Sequence, residues 1–124
     1  ASGAQLTAVE RDEAASALAM RNLAARGLSA KVLTGNAADS PSKRFSRVVL
    51  DPPREGAEDA VGRIARVHRP DRIVYVSCDP RTLARDIATL VHSGYQLARV
   101  RGFDMFPQTP HVETVALLTR AAPT

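Results

Sequence analysis

The 124-residue chain holds a single cysteine, Cys78. That excludes an internal disulfide and any CxxC metal or redox site, and leaves single-thiol chemistry as the role beyond packing. Long apolar runs are missing too. None approaches the roughly 20 residues that span a bilayer, and the N-terminus has no basic patch followed by an apolar stretch. A soluble, cytoplasmic protein without membrane contact is expected. The three histidines, His68, His92 and His111, are too scattered for a metal site, so each is expected at the surface or at a helix end. The chain also lacks an initiator Met and opens on Ala-Ser-Gly, as a processed chain or a piece of a longer one would. Internal repeats and low-complexity segments are lacking as well.

Lysine is scarce, two residues against fifteen arginines, and the net charge is +4. Residues 1–62 balance eight basic against eight acidic side chains, whereas residues 63–124 carry nine and five. The excess lies in the second half. Planar guanidinium groups suit bidentate phosphate contacts, although a GC-rich genome that also favours Ala would give the same bias.

Short β-branched runs alternate with helical stretches. Strands are predicted at residues 5–9, 31–34, 47–50, 72–76, about 95–100 and about 112–118. Asp12 caps a first helix whose apolar face is Ala15, Leu18, Ala19 and Leu23 and which ends at Gly27. A second helix is predicted over residues 57–67. The third runs from Pro80 to about His92, with Asp79 as N-cap, Pro80 at the first helical position and Gly94 just past the end. This alternation predicts an α/β fold with right-handed crossovers and a mainly parallel sheet, and the last two strands, joined without a helix, pair antiparallel. One domain over residues 1–120 and a disordered tail at 121–124 are expected.

Ligands of open α/β sheets sit beyond the carboxyl ends of the strands. Those places hold Glu10, then Asn36 and Asp39, then Asp51, then Cys78. Glu10 suits a carboxylate that accepts from two ribose hydroxyls, or simply an acid at a helix start. Asn36 and Asp39 read equally as turn residues. Asp51-Pro52-Pro53-Arg54 makes a rigid extended loop poor in amide donors. Amino-methyltransferases of adenine also use Asp-Pro-Pro, but with an aromatic residue next, where this chain has Arg54. Cys78 lies before a helix N-terminus that favours a thiolate, against the adjacent Asp79; a buried small hydrophobe is the alternative. A Cys-x5-Arg phosphatase loop fails, because position 84 is Ala. The segment from Phe103 to Glu113 carries Phe103, Met105 and Phe106, which a lid over the core would explain. Glu113, at the start of an apolar strand, needs a partner or a task.

Taken together, Asp51-Pro52-Pro53-Arg54-Glu55-Gly56, Ile73-Val74-Tyr75-Val76-Ser77-Cys78-Asp79-Pro80-Arg81-Thr82-Leu83-Ala84-Arg85-Asp86 and Asp104-Met105-Phe106-Pro107-Gln108-Thr109-Pro110-His111-Val112-Glu113 closely resemble the RNA 5-methyluridine methyltransferases, and the resemblance covers nearly the whole chain. It implies a Rossmann-like class I methyltransferase sheet, S-adenosyl-L-methionine as cofactor and RNA (tRNA or rRNA) as partner. It further implies that Cys78 is the nucleophile, Glu113 the base that removes a proton, and Asp51 a residue where cofactor and uracil meet. Glu10 matches the acid that binds the cofactor ribose, and Asn36 or Asp39 falls at the adenine end. A cytosine-modifying relative would carry a cysteine in the Pro-Pro loop, so uracil is favoured.

Two departures stand out. Asp79 occupies a place where the family usually has Asn, and both residues cap helices. The family's central first strand and Gly-rich cofactor loop, with a small RNA-binding β-domain before them, have no counterpart ahead of Glu10. The expectation is a C-terminal catalytic fragment, inactive alone, whose open strand edges invite dimerisation. A non-catalytic RNA-binding module of the same fold is the alternative.

Overall fold

The computed structural model describes residues 3–105, 107–109 and 112–121. Phe106, Pro110 and His111 lie outside the described residues, as does the expected tail beyond Ala121. The chain forms two compact units, one up to Pro41 and one from Ser42 onward.

The first unit is a β-α-β crossover, β1 (Thr7–Glu10), α1 (Glu13–Ala25) and β2 (Lys31–Thr34). The strands pair in parallel, Glu10 opposite Thr34, and the Gly35 amide donates to the Glu10 carbonyl at 2.9 Å. Asp12 caps α1 as expected, its carboxylate accepting from the Ala14 and Ala15 amides. The helix face differs from the expectation at one position. Leu18 is 51% exposed, while Ser16 is buried and its hydroxyl donates to the Glu10 carbonyl. Bonding of Ser16 to the end of β1 centres the inner face on Ala15, Ser16, Ala19 and Leu23. At 3.6 residues per turn Leu18 then falls about 110° away from that centre.

The second unit contains β3 (Arg47–Leu50), α2 (Glu58–Arg63), β4 (Arg72–Ser77), α3 (Pro80–His92), β5 (Tyr95–Phe103) and β6 (Glu113–Arg120) in a sheet ordered β3-β4-β6-β5. β3 and β4 are parallel, and β6 runs antiparallel to both β4 and β5. Three strands therefore share one direction, with β6 reversed between two of them. The helical run after Ala57 continues from α2 into a π-turn over Ile64–His68, closed by Arg69 in a left-handed conformation. β5 extends three residues beyond the predicted end and is irregular between Leu97 and Arg99.

The core is made by one face of this sheet with Val61 and Ile64 of the β3-to-β4 crossover and Leu83 and Leu90 of α3. Alternation decides which strand residues enter it: Ile73 and Tyr75 of β4 and Ala116 and Leu118 of β6 are buried. The Leu83, Asp86, Ile87 and Leu90 spacing puts one stripe of α3 against it. His68 ends the turn Ile64–His68, one of the two places expected for it, and is buried there, its ring packing edge-on against Phe45 at 5.1 Å and its Nδ1 bonding the Lys43 carbonyl. Phe103 and Met105 are 43% and 64% exposed, so they form no lid on this core. Among the described residues, β1 pairs with β2 alone and β3 with β4 alone, and no helix is long and apolar enough to cross a membrane.

Candidate active site

The register of the second sheet gathers chemistry at one edge. Leu50 pairs with Tyr75, Ser77 with Thr114 and Phe103 with Glu113. The carboxyl ends of β3, β4 and β5 and the beginning of β6 thus coincide. Asp51 follows β3, Cys78 follows β4, and Glu113 opens β6, although 35 positions separate the last two. Asp51 is exposed, and Cys78 and Glu113 are half-buried. This intermediate exposure leaves the Cys78 thiol reachable.

Cys78 is held by its neighbours. The buried Ser77 hydroxyl donates to the Asp79 carbonyl at 2.9 Å and accepts from the Asp79 amide at 3.0 Å, which folds the backbone tightly around the cysteine. The Asp79 carboxylate then caps α3 by accepting from the Arg81 amide at 2.8 Å. Pro80 supplies the fixed φ of the first helical position.

The Asp51-Pro52-Pro53 loop is bound to α3 as well, through groups for which sequence reasoning assigned no role. Prolines 52 and 53 donate no amide bonds, and the loop closes by a turn in which the Gly56 amide donates to the Pro53 carbonyl at 2.9 Å. The Thr82 hydroxyl donates to the Arg54 carbonyl at 2.8 Å. Arg85 donates to the Glu55 carbonyl at 2.9 Å, and Asp86 accepts from the Ala57 amide at 2.8 Å. Asp86 is fully buried and also accepts from the Tyr75 hydroxyl at 2.5 Å and from Arg85 at 3.1 Å. Burial, reinforced by the bond to Asp86, holds the Tyr75 phenol far above its ordinary range. The visible signal was a carboxylate on the apolar stripe of α3, between Leu83 and Leu90; a buried charge there demands donors.

Gly56 completes the arrangement. Its φ is +82°, and a Cβ would lie 2.6 Å from the Arg85 guanidinium and 2.8 Å from the Asp86 carboxylate. Glycine is the residue that permits both the conformation and the approach.

The remaining candidates lie in the first unit. Glu10 ends β1, is exposed, and accepts from the Asp12 amide at 3.0 Å. Asn36 accepts from the Ala38 amide at 2.9 Å and caps a short 3-10 turn, Ala37–Asp39, which is the turn role expected of it. Asp39 is exposed at the end of that turn. Glu10, Asn36 and Asp39 thus share the carboxyl edge of the β1-β2 pair, and Asp51, Cys78 and Glu113 that of the larger sheet. Among the described residues no group of three or more His, Cys, Asp or Glu side chains could hold a metal ion.

The chain is similar to RNA methyltransferases in sequence and in structure. An RNA methyltransferase of Thermotoga maritima, named as uncharacterized, is 56% identical over 80 residues, covering 64% of this chain and 18% of its own length. A 23S rRNA (uracil(1939)-C(5))-methyltransferase of Azoarcus sp. is 42% identical over 127 residues, covering 95% of this chain and 29% of the relative. The chain therefore spans less than a third of the length of these relatives. The crystal structure of Pyrococcus abyssi tRNA (uracil-54, C5)-methyltransferase, in complex with S-adenosyl-L-homocysteine, matches with a TM-score of 0.83 and 37% identity, over 94% of this chain and 29% of that one. The fold is that of the class I methyltransferases. The model of the tRNA (uracil-5-)-methyltransferase family matches residues 31–121, and the chain belongs to that family.

Proposed function

We propose that the chain is the C-terminal catalytic part of a cytoplasmic enzyme that methylates carbon 5 of uridine in tRNA or rRNA. The observation that carries this reading is the meeting of Cys78 and Glu113 at one sheet edge, beside the Asp51-Pro52-Pro53 loop. Family membership and the names of its relatives support it.

The chemistry explains the residue types. Carbon 5 of uracil is a weak nucleophile. Addition of the Cys78 thiolate to carbon 6 forms an S–C bond and moves the ring electron pair onto an enolate, which makes carbon 5 reactive. S-adenosyl-L-methionine, when bound, supplies the methyl group. Glu113 takes the carbon 5 proton, the double bond between carbons 5 and 6 returns, and the thiolate leaves. Asp51 follows β3 at the same edge, where it can orient the base. The base must be unstacked to enter, so the substrate contact is with a flipped uridine.

The residues present fit the cofactor in chemical type. Glu10 offers an exposed carboxylate at a strand end for ribose hydroxyls, and Asn36 and Asp39 offer amide and carboxylate groups at the next strand end. With the Asn36 carbonyl already capping Ala38, Asp39 is the stronger acceptor for the adenine end. The relatives extend well beyond the matched region, and by this reading the 124 residues alone are inactive and can pair with a second copy through open strand edges.

The deciding experiment is adduct formation with RNA carrying 5-fluorouracil, in which no carbon 5 proton can be removed and the covalent complex persists. In the full-length protein, Cys78→Ala should abolish the adduct. Glu113→Gln should still form the covalent bond with ordinary RNA but release product at least ~100-fold more slowly. An adduct that survives Cys78→Ala would put the nucleophile elsewhere.

A further inference from the structure

We infer that Thr82, Arg85 and Asp86 act as a positioning clamp that fixes the Asp51-Pro52-Pro53 loop on the same helix that presents Cys78. The inference rests on the reading of Asp51 and Cys78 as site residues.

Residues 82, 85 and 86 fall at i, i+3 and i+4, so they share one face of α3. They engage consecutive peptide groups of the loop: the carbonyls of Arg54 and Glu55 and the amide of Ala57. Stability alone does not require the two carbonyl contacts. Arg54 and Glu55 are exposed, and water would satisfy their carbonyls. The prolines remove the loop's own means of attachment, since a Pro-Pro segment offers no amides to a neighbouring strand. What remains is attachment from outside, which among the described residues comes from one helix.

That helix begins two residues after Cys78, and the Thr82 hydroxyl lies 3.3 Å from the Asp79 carbonyl as well as 2.8 Å from that of Arg54. One side chain therefore spans the Asp79–Pro80 peptide, one residue past Cys78, and the loop that follows Asp51. The buried Asp86 is itself held by Tyr75, three residues before Cys78 on β4. Strand, helix and loop are locked to each other by residues no more than eight positions from Cys78 along the chain. A shift of the loop by an ångström would change where Asp51 meets a base attached to Cys78.

Thr82→Val keeps the shape and removes the hydroxyl, and Thr82→Ser keeps the hydroxyl. In the full-length enzyme, Thr82→Val should lower kcat at least ~10-fold with the KM for RNA within about twofold, and Thr82→Ser should restore most of the rate. Wild-type kcat in Thr82→Val, or equal loss in both variants, would overturn the clamp. A second measurement does not depend on activity. In the 124-residue chain, amide exchange at Gly56 and Ala57 should quicken at least ~10-fold in Thr82→Val while Leu90 is unchanged. Unchanged rates at Gly56 and Ala57 would likewise overturn it. If wild-type enzyme forms no adduct with 5-fluorouracil RNA, the uridine reading fails, and the exchange experiment still decides the clamp.

Discussion

Tyr75 brings several physical terms together in one side chain. It is fully buried on β4, and its hydroxyl donates to a carboxylate that is itself out of water. Ionisation would place two negative groups side by side in a dry core, so the phenol is held above the ordinary tyrosine value of about 10. Tyr95, the one other tyrosine, is raised as well, first by burial, and its hydroxyl donates to the Pro70 carbonyl at 2.6 Å. A raised folded-state value means that the stabilisation is complete below the unfolded value and is lost as pH rises beyond it. The fold should therefore hold up to about pH 10 and lose stability above that, as unfolded tyrosines ionise and folded ones do not. Tyrosinate absorbance and circular dichroism, followed along one alkaline ramp, should change together. A tyrosinate signal near pH 10 with the dichroism intact would mean that both phenols are open to solvent.

At the scale of elements, sequence signals were sharpest where they were local. Asp79, Pro80 and Gly94 bounded α3 to the residue, because a cap, a fixed φ and a left-handed terminus each act within one turn. The edge position of Glu113 was legible too, from a carboxylate opening an apolar strand. Other features depend on distant partners, which no local signal names. The inner face of α1 turned on a bond from Ser16 to the end of β1. The irregularity of β5 near Arg99 arises from pairing with β6, and the role of Asp86 needs Tyr75 and Ala57, which are 11 and 29 positions away. The cap offers a clean test of an element. Asp79→Ala should cost roughly 1 kcal/mol in urea unfolding, and Asp79→Asn, the residue usual in the family, should cost close to nothing, because both side chains accept from the Arg81 amide. A loss with Asn as large as with Ala would show that charge, not capping, matters at this position.

For the whole molecule, the candidate ligand-binding groups are divided between two units, and the nine residues before Glu10 hold one glycine, Gly3, rather than the run of glycines of a phosphate-type loop. Close backbone approach and amide donors, which side chains such as Glu10 and Asp39 do not replace, are what such loops contribute. Calorimetry on the 124-residue chain should accordingly detect no S-adenosyl-L-methionine binding tighter than roughly millimolar, about 4 kcal/mol. Micromolar binding would show that the exposed carboxylates suffice. Sedimentation of the same sample would reveal whether open strand edges pair with a second copy. The Pro-Pro segment, so far a matter of site geometry, also bears on that association. β3 is an edge strand of four residues, Val49 is 72% exposed on it, and such an edge invites strand addition. Prolines 52 and 53 lie immediately beyond its end, where neither can donate to an incoming chain. Any ladder built there stops after about 13 Å, too short to seed a growing fibril, so the residues that stiffen the loop also act as gatekeepers against aggregation.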